Sequence, residues 1–312
     1  MKFLTIILIT LILIQCSITN SHKIKHKNSH RGKWFWTNLK NKINNIFKNK
    51  SHTNAAVPNN MPNIKLFADL SNAAYDLKLL DTSLWTMRGE INIHKKNAYG
   101  FVVTHKVKNI LAISIRGTIK SSFRNILTDM KAYFTDYPYC EKKQKCRVHR
   151  GFWRQFVYMK PILEQIIIPL WNAMKNFPNA KIIVTGHSLG GAVATIIAAY
   201  LRRLLNLPLG KLLLLAFGSP RVGNYAFVKQ INKDIGVFNI FRVNYRKDPI
   251  IRTPGLVLGY VHVGNQRSIE CETDQTCHIR VGKDHDTFIW NLLLRIKDHS
   301  GYFSLKRALS IK

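Results

Sequence analysis

The stretch Lys181-Ile182-Ile183-Val184-Thr185-Gly186-His187-Ser188-Leu189-Gly190-Gly191-Ala192 constrains the fold more than any other part of this chain. A short aliphatic run ends in Gly-x-Ser-x-Gly and passes at once into small apolar residues, Ala192 to Ala199. A strand that turns into a helix through that pentapeptide holds its serine in a strained conformation with the hydroxyl presented at the strand end. The flanking glycines are needed because a Cβ at either place would strike the neighbouring elements. The N-terminus of the following helix points partial positive charge at the place where an oxyanion would form. Ser188 is therefore the candidate nucleophile, and a helix of small residues suits close packing on a sheet.

The rest of the globular pattern agrees with an α/β class. Strands are expected over 99–104, 110–115, 181–185, 211–217 and 239–244, with another near 257–263. Helical periodicity marks 64–80 and 191–205, and a long helical stretch over 152–176 is interrupted by Pro161 and Pro169. Short continuous aliphatic strands alternating with helices indicate a mostly parallel sheet buried on both faces.

Three blocks carry a family resemblance: Thr185 to Ala192 as quoted, Phe217-Gly218-Ser219-Pro220-Arg221-Val222-Gly223-Asn224, and Val148-His149-Arg150-Gly151-Phe152. Together they resemble the fungal-type (class 3) lipases of the α/β-hydrolase superfamily, over roughly residues 60–312. The resemblance implies a mostly parallel central sheet flanked by helices, with a short helical lid. It also implies a serine ester hydrolase that uses no cofactor and no metal. Triacylglycerol is the first-choice lipid ester substrate. Phospholipase A1 and soluble-ester (feruloyl-type) esterase activities occur on the same fold, and a catalytically silent basic membrane-binding or adhesion protein is the alternative from another class.

Such hydrolases place nucleophile, acid and base in the chain order Ser, Asp, His. Asp248, in Arg246-Lys247-Asp248-Pro249, follows the strand expected to end near Asn244, where α/β folds put functional groups. The family has an Asp-Pro at that point; Asp234 precedes the strand and lies at its wrong end. Of the later histidines, His262 reads as a packed residue and His278 adjoins Cys277. His285, between Asp284 and Asp286, is a rival base. His299 is the first choice, because Asp298-His299-Ser300-Gly301-Tyr302-Phe303 resembles the family's Asp-His-x-x-Tyr-Phe segment. For the oxyanion, one N–H belongs to Leu189. The other is assigned to Thr118, which follows Arg116-Gly117 as the family's oxyanion residue does. The next stretch resembles the family lid, and Phe123, Ile126, Leu127 and Met130 fall on one face of a short helix.

Charge and termini bear on partners and compartment. Against 48 Lys and Arg stand 16 Asp and Glu, a formal net charge of +32. That balance invites a nucleic-acid reading, but no zinc-finger spacing, basic zipper or RNP-type block accompanies it; an anionic lipid surface fits better. Residues 1–20 hold Lys2 and an aliphatic run too short to span a bilayer, which reads as a signal peptide with no transmembrane segment left in the mature chain. Residues 21–55 form a basic pro-segment or linker without a carboxylate, and 56–312 the hydrolase domain. Export suits the cysteines, since Cys140 with Cys146 and Cys271 with Cys277 are close pairs that favour disulfides over a zinc site. The expected location is extracellular, or the lumen of a secretory or digestive pathway.

Overall fold

The computed structural model describes residues 62–119, 132–141, 143–264, 267–273, 276–281, 296–305 and 310–311. The expected signal peptide, the basic segment, the lid face of Phe123, Ile126, Leu127 and Met130, and the rival His285 all lie outside the described residues.

Central strands built on continuous aliphatic runs are expected to be buried on both faces, and the structure places them so. The main sheet has the order β1-β2-β3-β6-β7-β8-β9-β10-β11. Its strands are β1 (Trp85–Ile93), β2 (Ala98–His105), β3 (Ile110–Ile115), β6 (Lys181–His187), β7 (Leu212–Phe217), β8 (Ile240–Tyr245), β9 (Arg267–Cys271), β10 (Thr276–Val281) and β11 (Ser310–Ile311). The run from β3 through β6, β7 and β8 to β9 is parallel, while β1/β2, β2/β3 and β9/β10 are antiparallel. A separate ribbon pairs β4 (Phe134–Asp136) with β5 (Arg147–His149).

Alternate residues along each strand feed two cores. Ile182, Val184, Leu212 and Leu214 point into one, packed with α2 (Arg150–Met174), α3 (Leu189–Leu204) and α4 (Tyr225–Ile235). Ile183, Leu213 and Leu215 point into the other, with α1 (Ile64–Ala73) and Tyr302. The period of two thus sorts one apolar run onto two helical layers.

Several expectations are corrected. The helix over 152–176 is not interrupted: α2 runs unbroken through Pro161 and Pro169. Both prolines lie on its exposed face, where the carbonyls they leave unbonded can reach water. An interior proline costs about 3 kcal/mol. The opposite face buries Phe152, Phe156, Met159, Leu163, Ile167 and Trp171, each worth about 1.5–3 kcal/mol, so packing wins. The helix over 64–80 stops at Ala73, because the Asp76 side chain accepts from Lys78 N–H and opens a separate turn, Leu77–Leu79. No strand forms over 257–263. Gly259, at φ 83°, breaks the extended run, leaving the turn Leu256–Leu258 and one isolated pairing of Val261 with Gly223. Cys140 is joined to Cys146, and Cys271 to Cys277 directly across β9 and β10.

Candidate active site

Ser188 is the turn between β6 and α3, at φ 60° and ψ −129°. A non-glycine residue holds such a conformation only when its surroundings over-determine it. Here the Ser188 N–H donates to Phe217 O at 2.9 Å, and its carbonyl accepts from Gly191 N–H at 3.0 Å. A Cβ on Gly186 would sit 2.5 Å from the Gly190 carbonyl carbon, and one on Gly190 would overlap Ile115 O. That is the steric reason for both glycines of the pentapeptide. Ser188 is fully buried, and its Oγ makes no hydrogen bond among the described residues.

Asp248 lies three residues beyond β8 and is likewise buried. Its Oδ2 accepts from His299 Nδ1 at 2.8 Å and from the Tyr302 hydroxyl at 2.7 Å; its Oδ1 accepts from Ile250 N–H at 2.8 Å. The carboxylate therefore meets three donors. Tyr302 is held in turn by Tyr245 N–H, which donates to its oxygen at 3.0 Å. Burial first, then the adjacent Asp248 carboxylate, push the Tyr302 phenol well above the usual tyrosine range, which keeps it a donor.

His299 sits in the 3-10 segment Ile296–Ser304. Because Nδ1 gives its proton to Asp248, the neutral ring carries its accepting lone pair on Nε2. His187, the residue before Ser188, donates from Nε2 to His299 O at 2.6 Å, and the two rings lie 4.5 Å apart between centroids. The base is thus brought beside the nucleophile's own strand end.

The parallel register of β3 and β6 pairs Ile115 with Gly186, so the turn after β3 lies against the turn that holds Ser188. A Cβ on Gly117 would come within 3.1 Å of Ser188 Cβ. Thr118 is the next residue of that turn, and Leu189 opens α3, where the first N–H groups have no intrahelical acceptor. Ser188, Asp248, His299, Thr118 and Leu189 are thereby gathered at one end of the sheet. Asp234 is not: it lies in α4 and pairs with Arg203. His262 is buried elsewhere and bonds Ile251 O at 2.7 Å.

Residues 112–258 match the sequence pattern of the family described as Lipase (class 3). Those residues belong to the class 3 lipase family. Among relatives of this class 3 lipase region, secreted mono- and diacylglycerol lipase 1 of Fusarium solani is 35% identical over 162 residues, covering 52% of this chain and 44% of that protein. Secreted mono- and diacylglycerol lipase A of Penicillium cyclopium is 33% identical over 177 residues, 57% of this chain and 53% of that protein. The chain thus spans about half the length of these relatives. The solved Rhizomucor miehei lipase propeptide complex superposes with a TM-score of 0.66 at 21% identity, over 82% of this chain and 84% of that one. The likeness establishes the α/β-hydrolase fold.

Three contacts at the site were not read from the sequence. Tyr302 stood in the quoted Asp-His-x-x-Tyr-Phe segment, three residues after His299, without a role. His187 stood inside the pentapeptide, also without one. Tyr75, whose hydroxyl lies 2.9 Å from His187 Nδ1, follows α1 and carries no motif that would have marked it.

Proposed function

We propose that the chain is a secreted serine ester hydrolase, a lipase that cleaves acylglycerol esters at lipid–water surfaces. The observation that carries this reading is the buried Asp248 carboxylate, bonded to His299 Nδ1 and Tyr302 beside the strained Ser188. Ser188 Oγ attacks the ester carbonyl carbon while its proton passes to His299 Nε2. Asp248 holds the ring in the required tautomer and stabilises the imidazolium. The N–H groups of Thr118 and Leu189 receive the negative charge that develops on the carbonyl oxygen. The tetrahedral species collapses, the ester C–O bond breaks, and His299 returns the proton to the departing alcohol. Water, activated by the same base, releases the acid and restores Ser188.

The names of the relatives support acylglycerol as the substrate class: two are secreted mono- and diacylglycerol lipases, and one solved neighbour is described as a triacylglycerol lipase with a serine protease triad. Contact with a lipid surface is supported by charge and by an exposed apolar rim. Val257 is 91% exposed and Leu258 54%, and their turn lies beside Phe134, next to the exposed Tyr133. The N-terminal hydrophobic run and two disulfides support export. The test is the purified chain assayed against a triacylglycerol, a phospholipid and a soluble short-chain ester, beside Ser188→Ala. Hydrolysis led by the acylglycerol and abolished in the variant supports the proposal. A preference for the phospholipid or the soluble ester redirects the substrate class, and activity that survives Ser188→Ala removes the nucleophile.

A further inference from the structure

Four segments remote in sequence meet beside Ser188, three of them through one line of hydrogen bonds and the fourth by packing. Gly117, in the loop that carries Thr118, is pressed against the Tyr75 phenol, whose oxygen a Cβ on Gly117 would overlap. Tyr75 Oη lies 2.9 Å from His187 Nδ1, and His187 Nε2 lies 2.6 Å from the carbonyl oxygen of His299. Elementary donor and acceptor rules set the direction. A carbonyl only accepts, so His187 Nε2 bears the proton. The neutral ring then accepts at Nδ1, so the Tyr75 hydroxyl must donate there. Its oxygen faces the backbone of Gly117. Burial raises the Tyr75 phenol far above the ordinary tyrosine range, which keeps that proton in place. Each bond therefore requires the one before it.

Packing leaves this line little freedom. His187 and His299 are both fully buried. The Phe303 ring lies 4.8 Å from His187 and 5.9 Å from Tyr75. A Cβ on Gly117 would overlap Tyr75 Oη and come 2.5 Å from His187 O, so the turn is pressed directly against both residues.

We infer that Tyr75 and His187 are positioning residues that hold the oxyanion turn and the catalytic base in register with Ser188. The inference rests on the serine-hydrolase reading above. His299 belongs to a 3-10 segment and Thr118 to an irregular loop after β3, and neither is fixed by a strand or an α-helix. The nucleophile is fixed, at the junction of β6 and α3. His187 ends β6, so it transmits the sheet's rigidity to the base through one bond and, through Tyr75, to the turn. Misplacing reacting groups by about 1 Å can cost roughly 100-fold in rate, and loss of this line should cost part of that.

The test uses the full chain, a soluble short-chain ester and a boronic acid that mimics the tetrahedral species. Active sites are counted by phosphonate labelling of Ser188. Tyr75→Phe keeps the ring and its packing and removes only the hydroxyl. The expected result is a fall in kcat of about tenfold, against the roughly 100-fold ceiling for full misplacement, with KM unchanged. Boronate affinity should fall by the same factor as kcat/KM. His187→Phe should lose more, and the double variant should lose no more than His187→Phe alone, because the two residues act in series. A lower melting temperature with kcat per labelled site and boronate affinity unchanged would assign both residues to packing and overturn the inference. Additive losses in the double variant would break the series. A wild-type chain that neither hydrolyses the ester nor labels at Ser188 would instead refute the serine-hydrolase reading, and the inference with it.

Discussion

Replacing Asp248 by Asn tests the site most sharply, because the structure leaves an amide no satisfactory orientation. All three groups that face the carboxylate are donors: Ile250 N–H on Oδ1, and His299 Nδ1 and the Tyr302 hydroxyl on Oδ2. A carboxylate accepts all three, whereas an amide supplies one oxygen and one NH2. If the NH2 takes the Oδ2 position, it faces Tyr302 and His299. The Tyr302 oxygen already accepts from Tyr245 N–H, and His299 must shift its proton to Nε2 to accept at Nδ1. The ring can then no longer take the Ser188 proton. If the NH2 takes the Oδ1 position, it opposes a backbone N–H that cannot reverse, and the Asp248–Ile250 turn must move. The wrong tautomer in a Ser-His-Asp system costs about 10⁴-fold in kcat, roughly 5 kcal/mol of barrier at 1.36 kcal/mol per tenfold. Hydrolysis of a soluble short-chain ester, normalised to folded protein by circular dichroism, measures the loss. Proton NMR should show the downfield Nδ1–H resonance of His299 in the wild type and not in Asp248→Asn. A variant that keeps its fold and more than a tenth of the wild-type rate would refute the tautomer argument.

Ser188→Gly should be inactive yet more stable than wild type by about 1 kcal/mol, since glycine relieves the strained φ of 60°; thermal melts showing a clear loss of stability would contradict the strain. His299→Ala should abolish ester hydrolysis while His285→Ala retains most of it, and the reverse outcome in the same assay would move the base. Partition to anionic vesicles should exceed that to zwitterionic ones and weaken as salt rises. In a sedimentation assay, Val257→Asp should reduce that partition about tenfold, on the scale of one buried aliphatic side chain, and leave soluble-ester hydrolysis unchanged; partition indifferent to salt and to the variant would remove the rim from the lipid contact.

What the sequence determined by itself is what short-range sterics and local periodicity determine. The pentapeptide from Gly186 to Gly190 had to be a strand-to-helix turn, because the two glycines answer contacts made within that turn and with the adjacent strand end. The aliphatic runs at β3, β6, β7 and β8 were legible because central strands are buried at nearly every position and so are mostly apolar. Strand β1 was not: it is an edge strand with only Trp85 and Ile91 fully buried, and Arg88 and Glu90 interrupt its pattern. The β9–β10 hairpin and α4 escaped for a similar reason, each being short and only partly apolar. The prolines of α2 misled because local propensity counts the lost hydrogen bonds and cannot see the six side chains buried on the opposite face. Tertiary structure alone decided how the site is held. The bonds from His299 and Tyr302 to Asp248 span 51 and 54 residues, and those from His187 to Tyr75 and His299 each span 112. No local pattern selects Tyr75, because its role exists only once the end of α1 has been folded against β6; donor meets acceptor there through the packing of the two cores, and that packing is a property of the whole sheet.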